Sequence, residues 1–96
     1  MSAFKIGFIG LGLIGGSIAR ALRASMPDVW ITVYDIDKNT LALAANDGIA
    51  NRTSSVIDAS FSACDYIFLC APVSGNAENL TTLKQYLSPS CVLTDV

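Results

Sequence analysis

The sequence predicts an α/β fold built on one parallel sheet wound on both faces, with strands in the order 3-2-1-4-5. Three observations predict it. Short apolar runs, at Lys5–Ile9, Trp30–Tyr34, Tyr66–Cys70 and Cys91–Val96, alternate with segments of helical spacing. Strands separated by helices form βαβ units, whose right-handed crossovers lay helices against a parallel sheet. The chain has 96 residues, 52% of them hydrophobic, enough for a core on both faces of such a sheet within one domain, 1–96.

The elements follow in order. Lys5–Ile9 reads as a buried strand. From Leu13 to Ser25, Ile14, Ile18, Ala21 and Leu22 recur at helical spacing, and Pro27 stops the helix. Trp30–Tyr34 is β-branched and aromatic, a second strand. Lys38–Asn46 reads as a helix, with Asp37 as its N-cap and Gly48 just past its end. Ile49–Thr53 is a short third strand with little apolar pattern, followed by a helical turn around Ile57–Phe61. Tyr66–Cys70 is a buried fourth strand, and Pro72 and Gly75 mark the loop after it. Asn76–Tyr86 carries Leu80 and Leu83, with Leu87 beyond, until Pro89 ends the pattern. Cys91–Val96 is a fifth strand that runs into the C-terminus, so the sheet is expected to be truncated after it.

Composition excludes several classes of function. The net charge is −2 with no basic cluster, which argues against nucleic acid or an anionic membrane as a main partner. Ile6–Ala19 is apolar enough to imitate the core of a signal peptide, but it is too short and too rich in glycine to span a bilayer. Three cysteines, Cys64, Cys70 and Cys91, show no C-x-x-C spacing. Neither a disulfide framework nor a zinc site is expected, and a reducing cytoplasm is the expected setting. There is no histidine, so no His-based general base or metal ligand exists in this chain. Asp58, Asp65 and Glu78 form no evident acid–base pair. Arg20 and Arg23 read as a solvated helix face, and Cys70 as a packing residue.

Five glycines crowd residues 7–16. Gly10, Gly12 and Gly15 form G-x-G-x-x-G between the first strand and the first helix. In that context the first glycine allows a tight turn and the second lets a pyrophosphate approach the backbone. The third lets helix and strand pack closely. The helix N-terminus adds free N–H groups and partial positive charge. Asp35 follows Gly15 by twenty residues, at the end of the second strand, where a carboxylate accepts the hydroxyls of an adenosine ribose. The alternative is that Asp35 caps the turn into the next helix. A carboxylate there repels a 2′-phosphate, and Ile36, Asp37 and Lys38 supply no arginine to hold one. NAD is therefore expected over NADP. Ala71, Pro72 and Val73 follow the fourth strand beside the switch point of the sheet, where Pro72 either stiffens the loop against a cofactor or simply ends the strand. Gly16 and Ser17 either add contacts to the phosphates or cap the helix. The whole pattern is that of a Rossmann-like dinucleotide-binding domain.

Taken together, "GFIGLGLIGGSIARAL", "VYDID", "IFLCAPV" and "VLTDV" resemble the N-terminal cofactor domain of the prephenate and arogenate dehydrogenases. The β-hydroxyacid dehydrogenases are similar in outline, but usually carry Met where Ile14 stands and lack the Gly16–Ser17 pair. The resemblance implies an enzyme of tyrosine biosynthesis that oxidatively decarboxylates prephenate, or arogenate, and passes hydride to NAD. By matching position, Gly10, Leu11, Gly12, Leu13, Ile14 and Gly15 would line the pyrophosphate. Asp35 would take the ribose, Ala71, Pro72 and Val73 would flank the cofactor, and Asp95 would turn toward the nicotinamide. The family's catalytic histidine, substrate arginine and helical dimerisation domain lie downstream of T-D-V, so no catalytic residue is assigned here. The chain is expected to be part of a larger, homodimeric enzyme, binding cofactor without catalysing alone. A β-hydroxyacid-type cofactor domain and a non-catalytic nucleotide-binding module are the alternatives.

Overall fold

The computed structural model describes residues 4–70, 79 and 81–95. Five parallel strands, β1 (Lys5–Ile9), β2 (Trp30–Tyr34), β3 (Arg52–Ser54), β4 (Tyr66–Leu69) and β5 (Val92–Asp95), form one sheet in the order β3-β2-β1-β4-β5. Helix α1 (Gly12–Ser25) joins β1 to β2 and α2 (Lys38–Asn46) joins β2 to β3. A 3₁₀ helix, Ala59–Ala63, lies on the way from β3 to β4, and residues 79 and 81–84 are helical between β4 and β5.

Alternation along each strand divides the core in two. Ile6 and Phe8 of β1, with Ile31 and Val33 of β2, pack with Ala19 of α1 and with Leu41 and Ala44 of α2. Phe8 also stacks on Phe68 at 5.2 Å between ring centroids. The other face is served by Ile9 of β1 with Ile67 and Leu69 of β4, which pack with Phe61 of the 3₁₀ helix and with Leu83. Both faces of a central parallel strand are thus dry, which is why β1 and β4 read as continuous apolar runs.

Boundaries moved by small amounts. The third strand occupies Arg52–Ser54 rather than Ile49–Thr53, because Ile49 instead drops into the core below α2, 4% exposed. The turn expected around Ile57–Phe61 begins two residues later, where Asp58 caps it by accepting the N–H of Ser60 at 2.9 Å. Asp37 caps α2 as expected, accepting from Asn39 N–H at 2.9 Å, and Gly48 follows the helix at φ +71°. The buried face of α1 differs from the expected one. Gly15 and Ala19 are buried with Ile18 and Leu22 beside them, while Ile14 is 63% exposed. Small residues let α1 lie close to the sheet, so the face rotates toward them and turns Ile14 outward.

Arg23 is not a solvated residue. Its guanidinium donates to the carbonyls of Pro27 at 3.1 Å, Val29 at 2.7 Å and Ile49 at 3.0 Å, and to Asn51 Oδ1. Asn51 Oδ1 also accepts the N–H of Ile31 at 2.8 Å. One side chain therefore ties the end of α1 to the start of β2 and the approach to β3. Arg20 does lie on the surface, in an ion pair with Asp47 at 2.8 Å.

Candidate functional site

The strands β1, β2 and β4 end together at one edge of the sheet. Beyond their ends the ladder continues by single bonds: Gly10 N–H to Tyr34 O at 2.7 Å, Cys70 N–H to Ile9 O at 2.9 Å, and Asp35 N–H to Ser54 O at 3.3 Å. Helix α1, after β1, packs on one face of the sheet, and Leu83, among the helical residues before β5, packs on the other. The crevice between them is the switch point at which open α/β sheets bind ligands.

The glycine turn stands at that point. Gly10 has φ +78° and Gly12 φ +58°, values that place the backbone in the left-handed region. The turn reverses the chain within three residues and starts α1 at Gly12. A Cβ at Gly12 would meet no atom of the described residues within 4 Å, so the space over the turn is open. Gly15 is the reverse case. A Cβ there would stand 3.2 Å from Cys70 Sγ and 3.3 Å from Cys70 Cβ, so this glycine lets α1 pass the end of β4.

Leu11, between the two left-handed glycines, is buried at 6% exposure and occupies the N-cap position of α1. Its side chain has no oxygen with which to cap. Instead its N–H donates to Asp35 Oδ2 at 3.0 Å, while Asp35 Oδ1 accepts the N–H of Asp37 at 2.9 Å. Asp35 therefore does cap the turn after β2, and it also reaches across to the glycine turn, which sequence reasoning had not foreseen. Leu13 and Ile14 in the first turn of α1, and Ile36 beside Asp35, are exposed at 92%, 63% and 82%. A groove of about 450 Å³ runs from the turn between α1 and α2, past Gly16, Thr40 and Leu43, to the Arg20–Asp47 pair.

Of the expected site residues, the structure brings Gly10, Leu11, Gly12, Leu13, Ile14, Gly15 and Asp35 together at this edge. Ala71, Pro72 and Val73 lie outside the described residues. Asp95 ends β5 opposite Leu69 in the register. No group of three or more metal-ligating side chains occurs among the described residues, and no helix among them is long and apolar enough to cross a membrane. Cys64 is inert as a nucleophile at neutral pH: burial, with smaller contributions from Cys91 and Asp65, pushes its thiol up to about 12.

Residues 18–96 match the family described as prephenate dehydrogenase, nucleotide-binding domain. Cyclohexadienyl dehydrogenase of Zymomonas mobilis is 38% identical over 74 residues, which make up 76% of this chain and 25% of that protein. The crystal structure of prephenate dehydrogenase from A. aeolicus, in complex with hydroxyphenyl propionate and NAD+, superposes with a TM-score of 0.88 at 31% identity. The match covers 99% of this chain and 34% of that one. Synechocystis arogenate dehydrogenase gives a TM-score of 0.86 at 30% identity, over 97% of this chain and 32% of that one. The chain thus spans a quarter to a third of the length of these relatives.

Proposed function

The chain belongs to the prephenate dehydrogenase family, as its nucleotide-binding domain, and from that premise we propose that it binds NAD across the crevice above β1, β2 and β4. The observation that carries this reading is the open cradle at Gly12, bare of any Cβ, set at the start of a helix and next to Leu11, whose N–H is held by the carboxylate of Asp35 just past the second strand. An NAD+ complex of a relative with the same fold supports it.

Each residue then has a task. Gly10, Leu11, Gly12, Leu13, Ile14 and Gly15 line the pyrophosphate, with the first-turn N–H groups of α1 donating to its oxygens. Asp35 accepts the adenosine ribose hydroxyls on the lone pairs that its bonds to Leu11 and Asp37 leave free. Ala71, Pro72 and Val73 flank the cofactor. The preference for NAD over NADP comes from two carboxylates, Asp35 and the exposed Asp37, which repel a 2′-phosphate.

When bound, NAD supplies the oxidation that accompanies loss of CO2 from prephenate or arogenate. The chain's own residues would hold and orient the cofactor, with Asp95, at the end of β5, assigned to the nicotinamide. Catalytic and substrate-binding groups, and the dimer interface, fall in this reading to residues beyond these 96, since the chain has no histidine and its relatives are about three times as long. The three cysteines, none of them in a disulfide, fit a reducing, cytoplasmic setting.

Parallel calorimetric titrations of the chain with NAD and NADP test the proposal. Tighter binding of NAD is expected. The reverse preference overturns the role of Asp35, and binding of neither to the folded chain overturns the site. A longer chain carrying this domain that oxidises neither prephenate nor arogenate overturns the activity.

A further inference from the structure

Asp35 faces two ways. Its Oδ1 closes the local turn at Asp37, and its Oδ2 reaches a residue 24 positions earlier, Leu11, at the middle of the glycine turn. The turn needs such a link. Gly10 and Gly12 flank Leu11 at positive φ, and glycine is the residue with most conformational freedom to lose when held there. Leu11 has no side-chain acceptor for the N–H groups of the helix it begins. Among the described residues, the Asp35–Leu11 bond joins the turn to the end of β2 together with the bond of Gly10 N–H to Tyr34 O.

We infer that Asp35 is a positioning residue for the glycine turn as well as a ribose ligand: its carboxylate holds the Leu11 N–H, and with it the first turn of α1, in the geometry that receives a diphosphate. The inference rests on the cofactor reading given above. It has a separable consequence. Affinity for a diphosphate with no ribose hydroxyl depends on an acceptor at position 35, although such a ligand makes no hydrogen bond to it.

Charge has to be constant in the test, because a carboxylate also repels phosphate. Asp35→Asn and Asp35→Ala remove the same charge, but only the asparagine keeps an oxygen, for which Leu11 N–H and Asp37 N–H then compete. The ligands are ADP and its 2′,3′-dideoxy analogue, titrated calorimetrically into the 96-residue chain and both variants, each checked for folding by circular dichroism. Hydrogen exchange at the Leu11 amide is followed without ligand. The dideoxy analogue is expected to bind Asp35→Asn about fivefold more tightly than Asp35→Ala, the worth of one hydrogen bond. The Leu11 amide is expected to exchange faster in Asp35→Ala than in the other two proteins. Affinity of the two variants for the dideoxy analogue that fails to follow the protection of their Leu11 amides overturns the inference, while ADP binding to the unmutated chain leaves the cofactor reading standing. No ADP binding to the folded, unmutated chain overturns both.

Discussion

Phe61 of the 3₁₀ helix sits directly against Gly7 of β1: a Cβ at Gly7 would lie 2.9 Å from Phe61 Cδ1 and 3.1 Å from Cys64 Sγ. Gly7 thus belongs with the crowded glycines of the N-terminus but serves packing, not the turn. It lets a fully buried ring lie against the central strand of the sheet. Gly7→Ala is expected to cost about 1–3 kcal/mol in urea unfolding, the usual price of overpacking a dense core. Phe61→Leu in the same chain should return part of that loss. An unchanged unfolding midpoint for Gly7→Ala would show that the ring has room to move.

Gly12 and Gly16 both face open space, and they separate conformation from contact. Gly12→Ala forces a side chain into the left-handed region, φ +58°, at a cost of about 1–2 kcal/mol, and fills the cradle. NAD binding should weaken at least tenfold, an estimate for losing more than one hydrogen bond to the diphosphate. Gly16→Ala, inside α1, should stabilise the chain by about 0.5–1 kcal/mol through helix propensity. Equal NAD affinities for the wild-type chain and Gly12→Ala would remove Gly12 from the site.

Arg23 is expected to be among the costliest substitutions outside the core. Its four acceptors need the planar fork of a guanidinium, which lysine lacks. Arg23→Lys should therefore lose about 2 kcal/mol, close to the loss for Arg23→Ala. Thermal unfolding of the two variants side by side distinguishes this from a charge effect, under which lysine would rescue.

Thr32 is buried at 1% exposure in the middle of β2, and its Oγ1 has no hydrogen-bond partner among the described residues. A buried hydroxyl without a partner opposes folding. Thr32→Val keeps the shape and removes the polar atom, so the variant should gain about 1 kcal/mol. A loss of stability would place a bound water or a hidden partner at that hydroxyl.

Cys64 sets an alkaline limit. Its thiol stays protonated in the folded chain up to about 12, mainly because it is buried, whereas the unfolded chain ionises it near 9.0. The stabilisation is complete below pH 9 and falls as pH rises from there toward 12, by up to about 1.4 kcal/mol per pH unit. Urea unfolding at pH 8, 9 and 10 should show this decline in the wild-type chain and a flatter profile in Cys64→Ala. Parallel profiles would assign the decline to other groups.

Much of this molecule is legible in its sequence. Alternation of apolar runs with helical spacing determines the βαβ order, since a strand buried on both faces must be apolar throughout and a covering helix apolar on one side. The G-x-G-x-x-G spacing and Asp35 determine which edge of the sheet is the candidate site, because turn, helix start and carboxylate are set by local chain geometry. Tertiary structure alone decided the rest. The buried face of α1 turned from Ile14 toward Gly15 and Ala19, because how closely a helix approaches depends on the sheet beneath it and not on its own periodicity. Arg23 became a clip, and Asp35 a tether for Leu11, because their partners lie on other elements, up to 28 and 24 residues away along the chain. A local pattern records what a residue offers; only the folded chain determines which distant group accepts it.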